Sequence, residues 1–329
     1  MAGSGIAHLR GGDMPVLSVE NLTVEFPAGR GQTVHAVSGI SFDLLAGETL
    51  GIVGESGCGK STVGRAVLQL PAPKSGKVQI EGVELTALSP SALRSIRAKM
   101  QMIMQDPISS LNPRRKVKHL VTEGARMWGK HNKERLDDLG RQLLRAVGLD
   151  PDVVWDRLPG ELSGGQCQRV CIARAMMLEP KVLICDEPVS SLDVSVQAQI
   201  LNLLEQTKTE FELTMIFIAH NMAVVKNVSD RVMVMYLGKV CEVSPSSNLE
   251  NAARHPYSRL LLASIPDTER QRGDPRDTEQ IEGDLPSPLN PPSGCRFRTR
   301  CPLATDRCAA EEPQLREVDA NHFVACHHV

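Results

Sequence analysis

The sequence predicts an α/β fold in which a mostly parallel sheet is flanked by helices. Short apolar tracts typical of buried strands recur along the chain, and helical patterns separate them. These tracts lie at 49–53, 100–104, 181–186, 214–219 and 231–244. Apolar and polar residues alternate at 16–26 and 34–45, which predicts an antiparallel sheet at the start of the chain. At about 107–178 a charged helical pattern replaces the strands and predicts a helical subdomain.

Length and charge limit the classes of protein. The 329 residues are enough for one large α/β domain and an appendage, and the formal net charge of −2 gives no basic field for nucleic acid. No apolar run reaches the roughly 18–20 residues needed to cross a bilayer. Residues 1–15 lack the apolar centre of a secretion signal. We therefore expect a cytosolic protein that reaches a membrane only through a partner.

The remaining elements follow in chain order. A helix at 60–70 is closed by Pro71 and Pro73, and an alternating strand follows at 77–85. Another helix is predicted at about 195–210. After residue 265 the periodicity fails, and the charged, proline-rich and glycine-rich stretch 266–294 predicts an extended linker.

The strand at 49–53 runs directly into a glycine-rich loop. The segment 54–61 reads Gly54-Glu55-Ser56-Gly57-Cys58-Gly59-Lys60-Ser61 and fits the phosphate-loop pattern G-x-x-x-x-G-K-[ST] without a mismatch. The glycines let successive N–H groups point inward, and the following helix adds the positive end of its dipole. We expect Lys60 to bind the β and γ phosphates of ATP, Ser61 to be a Mg²⁺ ligand, and Thr62 to bind the α-phosphate.

Two more motifs follow this loop in a fixed order. Leu162-Ser163-Gly164-Gly165-Gln166 precedes a helix, where small residues allow close approach of a phosphate. The apolar tract 182–185 ends in Asp186 and Glu187, which suit Mg²⁺ binding and general base catalysis respectively. His220 stands at the end of a later strand, where a histidine taken alone is more often structural.

The ordered series resembles the ATP-binding-cassette (ABC) ATPases, which implies a RecA-like core, an antiparallel β subdomain and a helical subdomain. The resemblance implies that Gln105 reaches the Mg²⁺ and the lytic water, that His220 contacts the γ-phosphate, and that Asp193 lies in a loop crossing a dimer interface. It implies that Ser163, Gly164, Gly165 and Gln166 bind the ATP held by an opposite subunit. Phe26 is the candidate for stacking on adenine, with His35 or a core role for Phe26 as alternatives. Two positions depart from the usual pattern, since Cys167 replaces an arginine and Asn221 replaces an aspartate.

The end of the chain resembles the C-terminal extension of oligopeptide and dipeptide importer ATPases. The residues that carry this likeness are His255-Pro256-Tyr257-Ser258, 285–292 and Gly294-Cys295. Four of the nine cysteines crowd into this tail with the spacing C-x5-C-x6-C-x17-C. They are Cys295, Cys301, Cys308 and Cys326. The spacing leaves an iron–sulfur cluster, zinc, a disulfide and unligated thiols open, and the resemblance favours a structural [4Fe–4S] cluster. The histidines His322, His327 and His328 are alternative ligands.

From these observations we expect an ABC ATPase domain at 15–255 and a C-terminal extension at 256–329. The resemblance implies a subunit that energises peptide import at the cytoplasmic face of the inner membrane. Its partners would be a second ATPase subunit, two permease subunits and an external binding protein. Nickel complexes, glutathione and opines remain alternative cargoes. A soluble ABC ATPase of nucleic-acid metabolism and a scaffold that binds ATP without turnover are the competing classes.

Overall fold

The computed structural model describes residues 14–29, 31–129, 132–265 and 284–329. The chain divides into two compact units. Unit 1 comprises Met1–Ala87 and Phe217–Val329, and unit 2 comprises Leu88–Ile216. Among the described residues, none of the helices has the length and apolar character that crossing a membrane requires.

The strands, in chain order, are β1 (Leu17–Pro27), β2 (Thr33–Leu44), β3 (Thr49–Val53), β4 (Ser75–Ile80), β5 (Val83–Glu84), β6 (Met100–Ile103), β7 (Val182–Asp186), β8 (Thr214–Ala219), β9 (Arg231–Tyr236), β10 (Lys239–Pro245), β11 (Arg316–Asp319) and β12 (His322–Val324). The α-helices are α1 (Lys60–Val67), α2 (Pro90–Arg97), α3 (Pro107–Ser110), α4 (Val117–Met127), α5 (Lys133–Ala146), α6 (Pro151–Val154), α7 (Gly164–Met176), α8 (Val194–Glu210), α9 (Met222–Val228), α10 (Ser246–Ala252), α11 (Pro256–Ala263) and α12 (Asp306–Ala310). Single 3₁₀ turns lie at Leu85–Ala87 and Pro159–Glu161.

Unit 1 begins with a four-stranded antiparallel sheet in the order β2-β1-β4-β5. Strand β1 pairs with β2 along its length, from Leu17 opposite Leu44 to Phe26 opposite Val34. Inward-facing residues of β1, among them Leu17, Leu22 and Val24, are buried, while alternate residues stay accessible. This alternation is typical of an antiparallel sheet with one face on a core.

A second group of strands in unit 1 contains the parallel pair β3 and β9, in which Ile52 lies opposite Met233. Every residue of β3 and of β9 is buried, as expected for strands covered on both faces. Strands β10, β12 and β11 extend this group with antiparallel pairings. Residues 284–329, which we call the C-terminal lobe, are thereby joined to the sheet of unit 1 through β12.

Unit 2 contains the parallel strands β6 and β7, with Met100 opposite Val182 and Ile103 opposite Cys185. Helices make up most of the rest of this unit. Asn132 caps α5 by accepting the N–H of Arg135, and Asp150 caps α6 by accepting the N–H of Asp152. Gly140 of α5 lets that helix approach the ring of Trp155, which would lie 3.0 Å from an added Cβ.

The structure confirms most of the predicted strands and corrects several boundaries. The helix predicted at 60–70 ends at Val67, and the strand predicted at 77–85 is a hairpin that turns at Glu81 and Gly82, both with positive φ. The tract 231–244 is likewise two strands that turn at Leu237 and Gly238. Helix α2 was missed, because its apolar residues are few and none of its residues is buried.

Part of the predicted linker belongs to the C-terminal lobe. Linker residues 266–283 lie outside the described part of the chain, whereas residues 284–294 belong to the C-terminal lobe. Pro288 accepts a hydrogen bond from the His35 N–H in β2, at 3.0 Å. The proline-rich residues 284–294 were predicted to be linker, but one of them is hydrogen-bonded to the backbone of β2.

Candidate nucleotide site

The phosphate loop lies in unit 1 between the buried strand β3 and helix α1. Gly59 adopts a φ of +105°, and a Cβ at this position would lie 2.2 Å from the carbonyl oxygen of Ala36. Only glycine therefore fits where the loop turns into the helix. Ser56 and Gly57 are exposed at the top of the loop, while Ser61 and Thr62 are partly accessible on the first turn of α1. The loop is shaped to receive an anion at a helix N-terminus.

Lys60 is held inside the loop. Its side-chain ammonium donates hydrogen bonds to the carbonyl oxygens of Gly54 (2.8 Å) and Glu55 (2.9 Å), and only 4% of the residue is exposed. The neighbouring Cys58 is also buried, and burial raises the pKa of its thiol although the charge of Lys60 opposes this. The loop carbonyls therefore hold the ammonium in place, and Cys58 stays a neutral thiol.

The adenine candidate Phe26 lies at the end of β1 with 36% of its surface exposed. This exposure removes the alternative that Phe26 is a core residue. His35 lies on the paired strand, and its ring nitrogen Nδ1 is 3.2 Å from the Glu25 carboxylate. The His35 side chain is also 36% exposed, so both rings remain candidates for stacking on adenine.

His220 follows β8 and is exposed immediately before α9. The next residue, Asn221, caps that helix, because its side-chain oxygen accepts the N–H groups of Ala223 (2.9 Å) and Val224 (3.4 Å). Asparagine and aspartate are about equally good at this position. The departure from aspartate at 221 therefore leaves the helix start, and with it the place of His220, intact.

In unit 2 the structure brings Gln105 and Glu187 together. The side-chain amide of Gln105 donates to a carboxylate oxygen of Glu187 at 2.9 Å. Asp186 is fully buried at the end of β7, and Glu187 has a φ of +48°. A non-glycine residue in this left-handed region carries strain of about 1–3 kcal/mol, which is found most often at functional sites. The strained backbone and Gln105 together fix the direction of the Glu187 carboxylate.

The segment Leu162–Gln166 forms the start of α7, also in unit 2. The Ser163 hydroxyl accepts the Gln166 N–H (3.3 Å), and the Gln166 side chain accepts the Ser163 N–H (2.9 Å), which is a complete capping box. A Cβ on Gly165 would come 2.8 Å from Val196 of α8, whereas one on Gly164 would meet Leu192 only at 3.5 Å. Gly165 is therefore required by packing, and Ser163 stays exposed at the helix N-terminus.

Two further residues of unit 2 complete the predicted set. Asp193 is exposed at the start of α8, where its side chain makes no capping hydrogen bond. Cys167 is buried, and burial raises the pKa of its thiol to about 11. A small neutral thiol is compatible with this buried position.

The expectation of a metal cluster in the C-terminal lobe is not supported. Within the described residues, no group of three or more His, Cys, Asp or Glu residues is arranged to hold a metal ion. All nine cysteines, which fall in the described part of the chain, are free thiols. Burial raises the pKa of Cys295 to about 11 and raises the pKa values of Cys301 and Cys326. Burial thus favours the neutral thiol form of these three residues.

The other candidate ligands in the lobe have protein partners. Cys308 lies 3.5 Å from the Thr305 hydroxyl and 3.6 Å from a ring nitrogen of His328. His322 is buried against the Glu242 carboxylate at 2.6 Å, and His327 lies 3.0 Å from the carbonyl oxygen of Glu311. The count and spacing of cysteines did not reveal these contacts.

Sequence reasoning also missed the contacts of two side chains, Arg300 and Tyr257, with the phosphate loop. Arg300 donates to both carboxylate oxygens of Glu55, and Tyr257 accepts the Glu55 N–H. Glu55 occupies an unspecified position of the motif, and Arg300 lies 245 positions further along the chain. No local signal in the sequence connects them.

Comparison with known proteins identifies the family. The ABC transporter family model matches residues 37–190, and a model of the C-terminal region of oligopeptide/dipeptide transporters matches residues 241–308. The chain is 48% identical to the putative oligopeptide transport ATP-binding protein YkfD of Bacillus subtilis (strain 168), over 95% of each chain. It is 46% identical to the oligopeptide transport ATP-binding protein OppF of Haemophilus influenzae, over 90% of this chain and 89% of that protein.

Solved structures give the same result for the fold. The chain matches cbiO1 from Clostridium perfringens, part of the ABC transporter complex cbiONQ, with a TM-score of 0.63 and 29% identity, over 72% of this chain and 90% of that one. It matches the dimeric ATP-binding cassette MJ0796, bound to ADP and Pi in a post-hydrolysis state, with a TM-score of 0.64 and 26% identity, over 70% of this chain and 98% of that one. This chain therefore belongs to the ABC transporter family, and it carries the C-terminal region found in oligopeptide and dipeptide transporters.

Proposed function

We propose that this ABC ATPase hydrolyses ATP to energise the import of dipeptides or oligopeptides by a membrane transporter. The observation that carries the proposal is the joining of two features in one chain. A phosphate loop, the Gln105–Glu187 pair and a capped Ser163 segment are followed by a region that matches the C-terminal part of oligopeptide/dipeptide transporters. The relatives YkfD and OppF are named as oligopeptide transport ATP-binding proteins, which supports the same function.

The proposed roles follow from the positions of the side chains. The Lys60 ammonium and the loop amides bind the β and γ phosphates, and Phe26 stacks on adenine. The residues that would hold Mg²⁺ are Ser61, Asp186 and Gln105, and the ion would neutralise charge on the phosphates. Glu187, oriented by Gln105, takes a proton from the attacking water, and His220 contacts the γ-phosphate.

We further propose that the site is completed by a second cassette. Ser163 is exposed at the N-terminus of a 13-residue helix, a place suited to an anion. Asp193 and Val194, the latter 82% exposed, lie accessible at the start of α8. Binding of ATP between two subunits would join them, and hydrolysis would release them. The resemblance to oligopeptide and dipeptide importer ATPases favours a heterodimer.

Unit 2 supplies the surface proposed for the permease subunits. Several large apolar side chains stay exposed in this unit. They are Met104, Ile108, Met127, Val153 and Leu158. Exposed apolar side chains mark contacts with other proteins where they form one contiguous patch. With an external binding protein, the complex would act at the inner membrane with this subunit on the cytoplasmic side.

The proposed base is tested by Glu187→Gln. The variant should bind ATP but hydrolyse it at least about 100-fold more slowly, because the amide does not take up the proton. The control is Glu179→Gln, since Glu179 is exposed and shares the left-handed φ (52°) but lies on a turn away from the motifs. Phosphate release by the assembled transporter measures both. Unchanged turnover in Glu187→Gln would remove this residue as the base.

The proposed cargo is tested by transport. Complexes purified with the adjacent gene products and placed in vesicles should accumulate labelled dipeptide or oligopeptide only when ATP is supplied. Uptake of a nickel complex, glutathione or an opine in place of peptide would correct the substrate. Recovery of the chain with nucleic acid, and without membrane proteins, would reject the importer function.

We propose that a metal-bound state of the C-terminal lobe, whether [4Fe–4S] or zinc, requires the cysteines to rearrange. The supporting observation is that the charges of Cys301, Cys308 and Cys326 each raise the pKa of Cys295, so the four thiols share one region. Iron, sulfide and zinc analysis of protein purified without oxygen tests this state. Metal present in near-stoichiometric amount would support it, and protein without any of these elements would contradict it.

A further inference from the structure

The phosphate loop carries an acidic side chain at its second position. A triphosphate brings concentrated negative charge to this loop, and a carboxylate beside it repels that charge unless a cation offsets it. Glu55 lies close to the phosphate-binding lysine, because its carbonyl oxygen accepts a hydrogen bond from the Lys60 ammonium at 2.9 Å. The loop therefore needs a partner for Glu55 that leaves Lys60 available to phosphate.

Arg300 of the C-terminal lobe is that partner. Its Nη1 atom lies 3.0 Å and 2.9 Å from the two carboxylate oxygens of Glu55, and 3.3 Å from the hydroxyl of Tyr236. The Arg300 side chain is only 6% exposed, and that of Glu55 is 26% exposed. A partly buried pair of this kind is less screened by salt than a surface pair.

The backbone of Glu55 is fixed from the same direction. The Tyr257 hydroxyl accepts the Glu55 N–H at 2.9 Å, and its ring packs against Tyr236 and Phe297 with centroids 4.8 Å and 5.2 Å away. The amide, the carbonyl and the carboxylate of Glu55 are thus all engaged. Two of these three contacts come from residues of the C-terminal extension.

We propose that Arg300 is a positioning residue of the nucleotide site, which neutralises Glu55 and holds it away from the bound phosphates. This inference rests on the proposed ATP site and gives the C-terminal region a role in it. Without Arg300, the Glu55 carboxylate would be left partly buried and charged beside the loop. The triphosphate of ATP would then bind less tightly, and ADP, with one charge fewer, would be affected less.

The test compares four full-length variants by titration calorimetry with Mg-ATP and Mg-ADP. Arg300→Gln should weaken ATP binding about tenfold, a coupling in the range usual between linked sites. Glu55→Gln should bind ATP within about twofold of the wild type, since the repulsive charge is gone. The double variant Arg300→Gln/Glu55→Gln should regain most of the lost affinity. Arg298→Gln is the matched control, because within the described residues the Arg298 side chain donates hydrogen bonds to Ser293 and not to Glu55.

The outcomes separate this inference from the proposed function. Failure of the folded wild-type protein to bind ATP would overturn the ATP site itself. Wild-type affinity in Arg300→Gln, or a double variant as weak as Arg300→Gln, would overturn the role of Arg300 while leaving the site intact. If Arg300→Gln does not fold, the double variant Arg300→Gln/Glu55→Gln carries no charge at either position and should bind ATP within about threefold of the wild type. A tenfold loss in the folded double variant would contradict neutralisation.

Discussion

At the residue scale, one buried group in unit 1 pairs an arginine with two carboxylates. Arg231, at the start of β9, donates to the Glu48 carboxylate at 2.5 Å and to a carboxylate oxygen of Asp43 at 2.9 Å. All three residues are buried. Removing one member of such a group leaves a buried charge without compensation, which is more harmful than losing an exposed pair.

We therefore expect Arg231→Ala to lower the free energy of unfolding by about 3–5 kcal/mol. Arg307→Ala is the control, because its pair with Glu311 is one turn apart on a helix and exposed on both sides. That change should cost no more than about 0.5 kcal/mol. Urea unfolding followed by circular dichroism measures both variants, and equal losses would show that burial of the Arg231 group is unimportant.

At the scale of elements, β3 and α9 are in unusually close contact. Gly51 lies in the middle of β3, and a Cβ added there would lie 2.3 Å from both the Val225 side chain and the Ser229 hydroxyl. The strand leads into the phosphate loop, so the packing of β3 against α9 also positions the first residue of that loop. A glycine in a strand often marks such a close approach.

Gly51→Ala should therefore destabilise the protein by about 1–3 kcal/mol through overpacking. Gly160→Ala is the matched control, since Gly160 has open space around its Cβ position and no positive φ. Its effect should stay within about 0.5 kcal/mol. Thermal melting measures the stability of both variants. A Gly51→Ala protein as stable as the wild type would show that α9 can shift to make room for the added methyl group.

At the scale of the whole molecule, acid should weaken the fold through the buried polar group around Glu242. This carboxylate accepts the N–H groups of Arg254 and His255 and lies 2.6 Å from the His322 ring. Burial lowers the pKa of His255 from 6.5 to about 4, although Glu242 opposes this shift. The pKa of Glu242 is lowered from 4.5: burial alone would raise it, but the contact with His322 and the hydrogen bonds from the two backbone amides outweigh burial.

Both groups lower the free energy of unfolding as the pH falls. Between pH 6.5 and about 4 the unfolded chain binds a proton at His255 and the folded chain does not, so stability falls as the pH falls. Glu242 adds a loss in the same direction below pH 4.5. His255→Asn keeps a residue suited to capping α11 and removes the titration. Urea unfolding at pH 7.5 and pH 5 should show a smaller loss in His255→Asn than in the wild type, and equal losses would contradict this origin.

The sequence predicted the parts of the fold and site that depend on neighbouring residues. The phosphate loop, the strand ending in Asp186 and Glu187, and the start of α7 are each contained in a few consecutive positions, where turn and capping preferences act locally. The hairpin turns at Glu81 and Leu237 were missed, because non-glycine residues adopt positive φ there. The Arg300–Glu55 contact and the thiol partners in the C-terminal lobe depend on tertiary packing, which spacing along the chain does not encode.

The aromatic cluster around Tyr236 has a practical consequence. The chain has two tyrosines and two tryptophans. Both tyrosines, Tyr236 and Tyr257, belong to unit 1 and lie within hydrogen-bonding distance of Arg300 and Glu55 respectively, whereas Trp128 and Trp155 belong to unit 2. Each unit therefore contains one type of aromatic chromophore, tyrosine in unit 1 and tryptophan in unit 2. Near-ultraviolet spectra of the unlabelled polypeptide report separately, by wavelength, on the surroundings of the phosphate loop and on the helical half.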